Sequence, residues 1–277
     1  MDLVLNFLDQ YLFTPYVYPA TWPENDLLRQ FVSLFLVTNI GGVILYFCLA
    51  SFSFLFVFDR TLMQHPLILE NQIQQEIMVT LKSTPFMSFP TALLFLLEVR
   101  GYSRLYLPSN FAWPHLLRDS FSTISFLVFT DSLIYWIHRG LHHRSVYKYL
   151  HKVHHRWKVP TPFASHAFHP VDGFLQSLPY HLFPFLFPLN KYVYLVLFVF
   201  VNIWTVSIHD GDFRVPKILR PLINGSAHHT DHHLLYNCNY GQYFTLWDRI
   251  GGSFRHPSAF QGKAPIDDLK KNGDKIE

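Results

Sequence analysis

From Phe31 to Phe58 the chain runs without a single Asp, Glu, Lys or Arg, and no other stretch limits its fold as tightly. A helix needs about 20 mostly apolar residues to cross the hydrocarbon core of a bilayer. A second candidate span, 77–97, is interrupted by Lys82, Pro85 and Pro90, and a third, 120–137, only by Asp131. Two more apolar runs, 173–190 and 192–208, are separated by Lys191 alone and predict a helical hairpin turning near Asn190 and Lys191. Only 15% of the residues are charged, while 50% are hydrophobic and 18% aromatic; soluble domains carry roughly 25% charged residues. The expected fold is an all-α integral membrane protein with about four to five transmembrane helices.

No low-complexity linker divides the chain, which is read as one membrane-embedded domain over 1–277 with a polar tail from 257 to 277. Asp2 stands where a secretory signal carries positive charge, and Pro15, Pro19 and Pro23 break the apolar stretch, so no cleaved signal is expected. Residues 1–30, with Tyr11, Tyr16, Tyr18 and Trp22, suit either an interfacial lead-in or a packed terminal arm. Two cysteines, Cys48 and Cys238, give no disulfide framework. A small buried hydrophobe is the better reading of Cys238 than a ligand.

The net charge of +3 matters less than its distribution. Arg139, Arg144, Lys148, Lys152, Arg156 and Lys158 lie in a stretch without Asp or Glu, and more Lys and Arg follow after Asp210. By the positive-inside rule both regions face the cytosol, so the apolar run between them crosses twice or not at all. With membrane spans present, these charges suit an anionic leaflet or an acidic protein partner, and no nucleic acid is expected.

On that basic side the chain gathers its histidines. His138, His142, His143, His151, His154 and His155 fall within eighteen residues, and His228, His229, His232 and His233 follow some seventy residues later. The pattern His-x-x-His-His occurs twice, where chance at this histidine content predicts it about 0.06 times. Imidazoles spaced i,i+3 and i,i+4 project from one side of a helix, and eight to ten of them exceed what one four-coordinate zinc site uses, so the economical reading is a histidine-rich di-metal centre. Apolar surroundings imply an apolar substrate and oxygen chemistry, favouring redox-active iron over zinc.

Other residues are candidates around this centre. His209 emerges from the apolar hairpin on the same side and is ranked with the ligands. Asp131, Tyr135, His138 and His142 share one helical stripe. Asp131 either orients or binds in the centre, or is hydrogen-bonded between helices. His169, before Pro170 and close to Asp172, resembles a ligand with its carboxylate partner, and reads equally as a loop histidine without metal. The proline-rich stretch 157–172 reads as a loop over the centre, and His181 as a hydrogen-bonded core residue. His65, His115 and His256 are isolated and receive no role.

The three boxes and the membrane pattern resemble the fatty acid hydroxylase/sterol desaturase superfamily of membrane di-iron enzymes. The segments Phe13-Thr-Pro-Tyr-Val-Tyr-Pro-Ala-Thr-Trp-Pro-Glu24, Thr161-Pro-Phe-Ala-Ser-His-Ala-Phe-His-Pro170, Ser207-Ile-His-Asp-Gly-Asp-Phe-Arg214 and Gly241-Gln-Tyr-Phe-Thr-Leu-Trp-Asp-Arg-Ile-Gly-Gly252 are similar to its sterol C5-desaturase branch. This resemblance implies an endoplasmic-reticulum enzyme whose boxes face the cytosol and hold two iron ions. It implies insertion of the C5–C6 double bond into the Δ7-sterol lathosterol to give 7-dehydrocholesterol, in cholesterol synthesis. It further implies O2 as co-substrate and cytochrome b5, with its NAD(P)H-dependent reductase, as the donor of two electrons. The ligands it implies are His138, His142 or His143, His151, His154, His155, His229, His232 and His233, with His209 and His228. Two alternatives are a related membrane di-iron hydroxylase and a sterol C4-methyl oxidase; a metal carrier is disfavoured because the histidines gather on one side. The sequon at Asn224, placed in the cytosol, is expected to be unmodified.

Overall fold

The computed structural model describes residues 1–108, 113–212 and 214–261, so most of the expected polar tail lies outside the described residues. The first long helix, α2 (Leu27–Phe56), starts where the side chain of Asp26 accepts the amide of Arg29 at 2.9 Å, which satisfies one of the orphan donors of the first turn. Helix α3 (Gln72–Val99) contains Pro85 and Pro90 without breaking. Helix α4 (Trp113–Leu141) carries the third apolar run and continues into the first histidine box.

Two helices joined by a short turn follow over the apolar runs 173–190 and 192–208. Helix α6 (Pro170–Leu186) opens with proline at N1, where its missing N–H costs nothing. Helix α7 (Lys191–Ser207) opens on Asn190, whose side chain accepts the amide of Tyr192 at 2.9 Å. A two-residue parallel pairing of β1 (Leu105–Tyr106) with β2 (Leu189–Asn190) fastens that turn to the α3–α4 connection. Asn190 also donates to Asp119 at 2.8 Å. Helix α6 packs against α3 and α4, and α2 packs against α3 and α7. Leu34, Phe95, Phe126, Ile134, Phe183 and Val201 share the resulting core.

Among the described residues two helices, α2 and α4, are long and apolar enough to cross a membrane. The other three expected spans are helical but less complete. Helix α3 carries Lys82 and the buried Glu76 and Glu98, and α6 and α7 have 17 residues each, about 25 Å against a hydrocarbon core of about 30 Å. Phe52, Phe86, Phe121, Ile124 and Val196 project outward from these helices, as side chains facing lipid do.

The amino-terminal segment is a packed arm. Helix α1 (Asp2–Leu8) runs into a π-helical segment, Asp9–Val17. Leu5 and Phe13 join the core, and the buried Arg29 pairs with Asp9 at 3.1 Å. Beyond the boxes of α4 the short helices are α5 (Tyr147–Leu150), α8 (Ser226–Leu235) and α9 (Leu246–Ile250).

Candidate metal centre

Nine imidazoles meet at one end of the helix bundle and sort into two groups. His138, His142, His151, His155 and His232 form the first, and His154, His209, His229 and His233 the second. Within each group the ligand nitrogens all lie within 4.8 Å of one another. In α8 helix geometry explains the sorting, because at about 100° per residue the first and fifth positions of His-x-x-His-His lie about 40° apart and the fourth about 60° to the other side. In α8 the i,i+4 pair His229 and His233 serves the second group, and His232 turns to the first. The other box does the reverse: His151 and His155 serve the first group, and His154 the second. Each repeat therefore contributes to both groups.

Inside the groups the Nε2 atoms approach closely: His138 to His151 at 3.2 Å, His155 to His151 at 3.1 Å, His229 to His209 at 3.0 Å and His233 to His229 at 3.1 Å. Two nitrogens about 2.1 Å from one ion and at right angles to each other stand about 3 Å apart. Outside the groups, several Nδ1 atoms have acceptors. His138 donates to the carbonyl of Tyr240 at 2.9 Å, His209 to Thr205 at 2.7 Å, His232 to Cys238 at 2.8 Å and His233 to Trp157 at 2.9 Å. His151 donates to the Asp172 carboxylate at 2.7 Å, with both side chains fully buried. These bonds fix the tautomer with the Nε2 lone pair directed inward, the outer bonding of metal-ligating histidines. The Nε2 atoms of His142 and His232 are buried with no hydrogen-bond partner, a costly state that a cation relieves. The donor set thus fits two ions of a metal that favours imidazole.

Burial reinforces this. It holds His209 down at about 4. Burial first, and then neighbouring imidazoles, holds His154, His155 and His229 well below the ordinary histidine range. Neutral rings are the state in which imidazole binds metal.

Not every candidate joins. His143 is exposed just beyond the end of α4, and its Nδ1 accepts the amide of Ser145 at 3.4 Å. His228 is buried but faces the rings of Phe254 and Phe260 at 6.0 and 5.7 Å. His169 caps α6 by accepting the amide of Val171 at 3.3 Å, so Asp172 pairs with His151 and not with its sequence neighbour. Among the described residues Asp131 hydrogen-bonds to backbone amides and to no histidine. It accepts the amides of Gln242, Tyr243 and Phe244 at 3.2, 2.6 and 3.4 Å, holding the segment whose Tyr240 carbonyl orients His138. His181 is buried in the core beside Phe95 as expected, but its Nδ1 has no hydrogen-bond partner.

Supporting residues went unnoticed in the sequence. Asp248, fully buried, accepts the amides of Tyr240 and Gly241 at 2.8 and 2.9 Å and the hydroxyl of Ser253 at 2.8 Å. Glu76 accepts from Thr161 and so anchors the 3-10 turn Pro162–His166. Phe168, just beyond that turn, stacks its ring on His154 at 4.2 Å. Asp248 stands in the quoted segment Gly241–Gly252, but nothing in its spacing announces a clamp. Asn224 is buried and donates to the Gly241 carbonyl at 2.6 Å, so its amide is engaged in the fold and inaccessible to glycosylation.

A cavity leads from the bundle to this centre, with about 1300 Å³ of empty space counting its open mouth. His138, His154, His209 and His229 line it together with the apolar side chains of Met87, Phe198 and Val201.

The fatty acid hydroxylase family model matches residues 123–253, which hold every imidazole of both groups. Lathosterol oxidase of Rattus norvegicus is 66% identical over 280 residues, covering 99% of this chain and 92% of the relative. Lathosterol oxidase of Homo sapiens is 64% identical, covering 98% and 91%. The chain belongs to the lathosterol oxidase family. It is an oxidoreductase of the sterol desaturase kind. More distant members include the Delta(7)-sterol 5(6)-desaturase of Eremothecium gossypii, 54% identical over 88% of this chain and 69% of the relative. No solved structure matches the chain. In this family setting the two histidine groups and the cavity ending on them are the candidate active site.

Proposed function

We propose that the chain is a sterol C5(6)-desaturase that converts lathosterol to 7-dehydrocholesterol in cholesterol biosynthesis. The reading rests on a largely apolar cavity whose lining includes His138, His154, His209 and His229, members of both imidazole groups. The groups would hold two iron ions, with His138, His142, His151, His155 and His232 around one and His154, His209, His229 and His233 around the other. Bound iron would supply activation of O2. In the overall reaction the sterol loses one hydrogen each from C5 and C6, and O2 with two electrons and two protons leaves as two waters. The protein's part is to bind the sterol beside the metals, exclude bulk water and keep the imidazoles neutral and oriented.

We place the protein in the endoplasmic-reticulum membrane with the boxes on the cytosolic side, a topology supported by the Lys and Arg of 139–158. Cytochrome b5, reduced from NAD(P)H, is the proposed donor, docking by its acidic face on that basic surface. The test is product analysis: microsomes containing the chain, given lathosterol, O2 and NADH, should form a conjugated 5,7-diene with its ultraviolet absorption. An oxygenated sterol in its place would make the protein a hydroxylase or methyl oxidase.

A further inference from the structure

A sterol is almost wholly apolar, and its 3-hydroxyl sits on the ring carbon two bonds from C5. If C5 and C6 lie against the metal groups, the hydroxyl needs a polar partner near that end of the cavity, and the alkyl side chain extends away. Several polar side chains lining the cavity are already engaged, while the hydroxyl of Thr80 on α3 is buried without a hydrogen-bond partner. Thr38 and Thr84 donate to carbonyls of their own helices at 2.7 Å, and Ser177 does so at 2.9 Å. Gln176 Nε2 donates to Asp172 at 2.8 Å, which ties it to the outer partner of His151, and Thr205 accepts from Gln242 at 3.2 Å. His181 sits about 13 Å along α6 from Asp172, at 1.5 Å per residue, too far down the cavity to serve ring A.

The pair His166 and Asn202 differs. Both line the cavity. His166 Nε2 donates to Asn202 Oδ1 at 3.1 Å, while its Nδ1 accepts from the Ser165 hydroxyl at 3.0 Å. Asn202 Nδ2 donates to the Phe198 carbonyl at 2.7 Å. A primary amide has two donor hydrogens and two acceptor lone pairs, so Asn202 keeps one donor and one acceptor for the cavity. A hydroxyl offers the complementary pair. Asn202 lies two turns before His209, about 10 Å along the chain axis at helical rise. His166 ends the turn that leads to Phe168, whose ring stacks on His154.

We propose that the His166–Asn202 pair takes the 3-hydroxyl of the sterol, placing ring A beside the metal groups with the alkyl side chain directed along α7 toward Phe198. The inference rests on the desaturase reading and adds a specificity-determining site to it. Its physical basis is that a buried polar pair built for a hydroxyl discriminates strongly against a substrate lacking one.

The test compares a Δ7-sterol with its 3-deoxy counterpart in membranes holding the full chain, reading kcat/KM for 5,7-diene formation. The native protein should prefer the hydroxysterol at least tenfold, and Asn202→Leu, similar in size and without polar atoms, should lower that preference at least tenfold. His166→Leu removes the donor that fixes Asn202 and should also lower the preference several-fold, so an unchanged preference in it would equally overturn the site where Asn202→Leu fails to accumulate. A native preference near unity, or an unchanged preference in Asn202→Leu, would overturn the hydroxyl site while leaving the desaturase reading intact. Absence of diene from either sterol with the native protein would overturn the desaturase reading and this assignment with it.

Discussion

The Asp172–His151 pair offers the sharpest perturbation of the centre. Asp172 is fully buried and accepts from His151 Nδ1 at 2.7 Å and from Gln176 Nε2 at 2.8 Å. Asp172→Asn preserves the volume and can still present an oxygen to His151, but it removes the negative charge that strengthens the ligand's basicity. Loss of such an outer partner costs 10–100-fold in metal affinity or activity, about 1.4–2.7 kcal/mol. Asp172→Ala should cost more, since it leaves a buried imidazole N–H without a partner and opens a void; an unsatisfied buried donor adds about 1–3 kcal/mol. Iron per chain in protein purified under matched conditions and initial rate of diene formation provide two independent readouts. The asparagine variant should retain less iron and turn over 10–100-fold more slowly at limiting iron. Native iron content and native rate in Asp172→Asn would refute the idea that this carboxylate supports the centre.

Other positions around the centre respond to the same geometry. His155→Ala and His233→Ala each remove one imidazole from a different group and should abolish diene formation with little loss of membrane-inserted protein; retained activity in either would exclude that residue as a ligand. In protein stripped of metal, stability should be fully present above pH 6.5 and fall as the pH drops toward 4, because burial keeps His209 at about 4 in the folded state; that group alone contributes about 3 kcal/mol, visible as a falling thermal midpoint. Asp248→Asn should loosen the Tyr240–Gly241 segment and lower activity several-fold, rescued partly by excess iron if the defect passes through His138. Gly251→Ala should reduce folded protein, since an added Cβ would strike the Tyr135 hydroxyl and the Arg139 guanidinium.

Much of the centre was legible in the sequence because helix periodicity does the positioning. The i,i+4 spacing of His138 and His142 and the repeat carried by α8 bring imidazoles to one side of a helix, whereas the turn and 3-10 helix that carry His151–His155 do not follow from the spacing. His209 was legible from its place at the end of an apolar helix. Acceptors that are backbone carbonyls were not, because the carbonyls of Thr205, Tyr240, Cys238 and Trp157 leave no mark in residue type. The partner of Asp172 was misjudged for a similar reason. His169 is nearest in sequence, but as the residue that starts α6 it turns its ring to the first-turn amides, and the carboxylate faces His151 instead. His228 adjoins a ligand in sequence, yet one residue of helix rotates it about 100° away toward Phe254 and Phe260. The number of spans was least legible, because charge-free runs reveal apolarity without revealing whether α6 and α7 reach both faces.

The reversed use of one repeat has a consequence for assembly. If each box served a single group, either group could form while the other was still open. Here His154 leaves its own box to join the second group, and His232 leaves its box to join the first. Neither group is complete until α8 has docked against the segment 151–155. His233 Nδ1 donating to the Trp157 carbonyl at 2.9 Å fastens that same contact from outside, and Trp157 is fully buried. Metal binding and the closing of the box-bearing segments are therefore one event, with binding free energy coupled to folding of this face. Loss of either crossing ligand should weaken both groups together, so His154→Ala should reduce bound metal by more than one ion's share, whereas independent groups would lose the second ion alone.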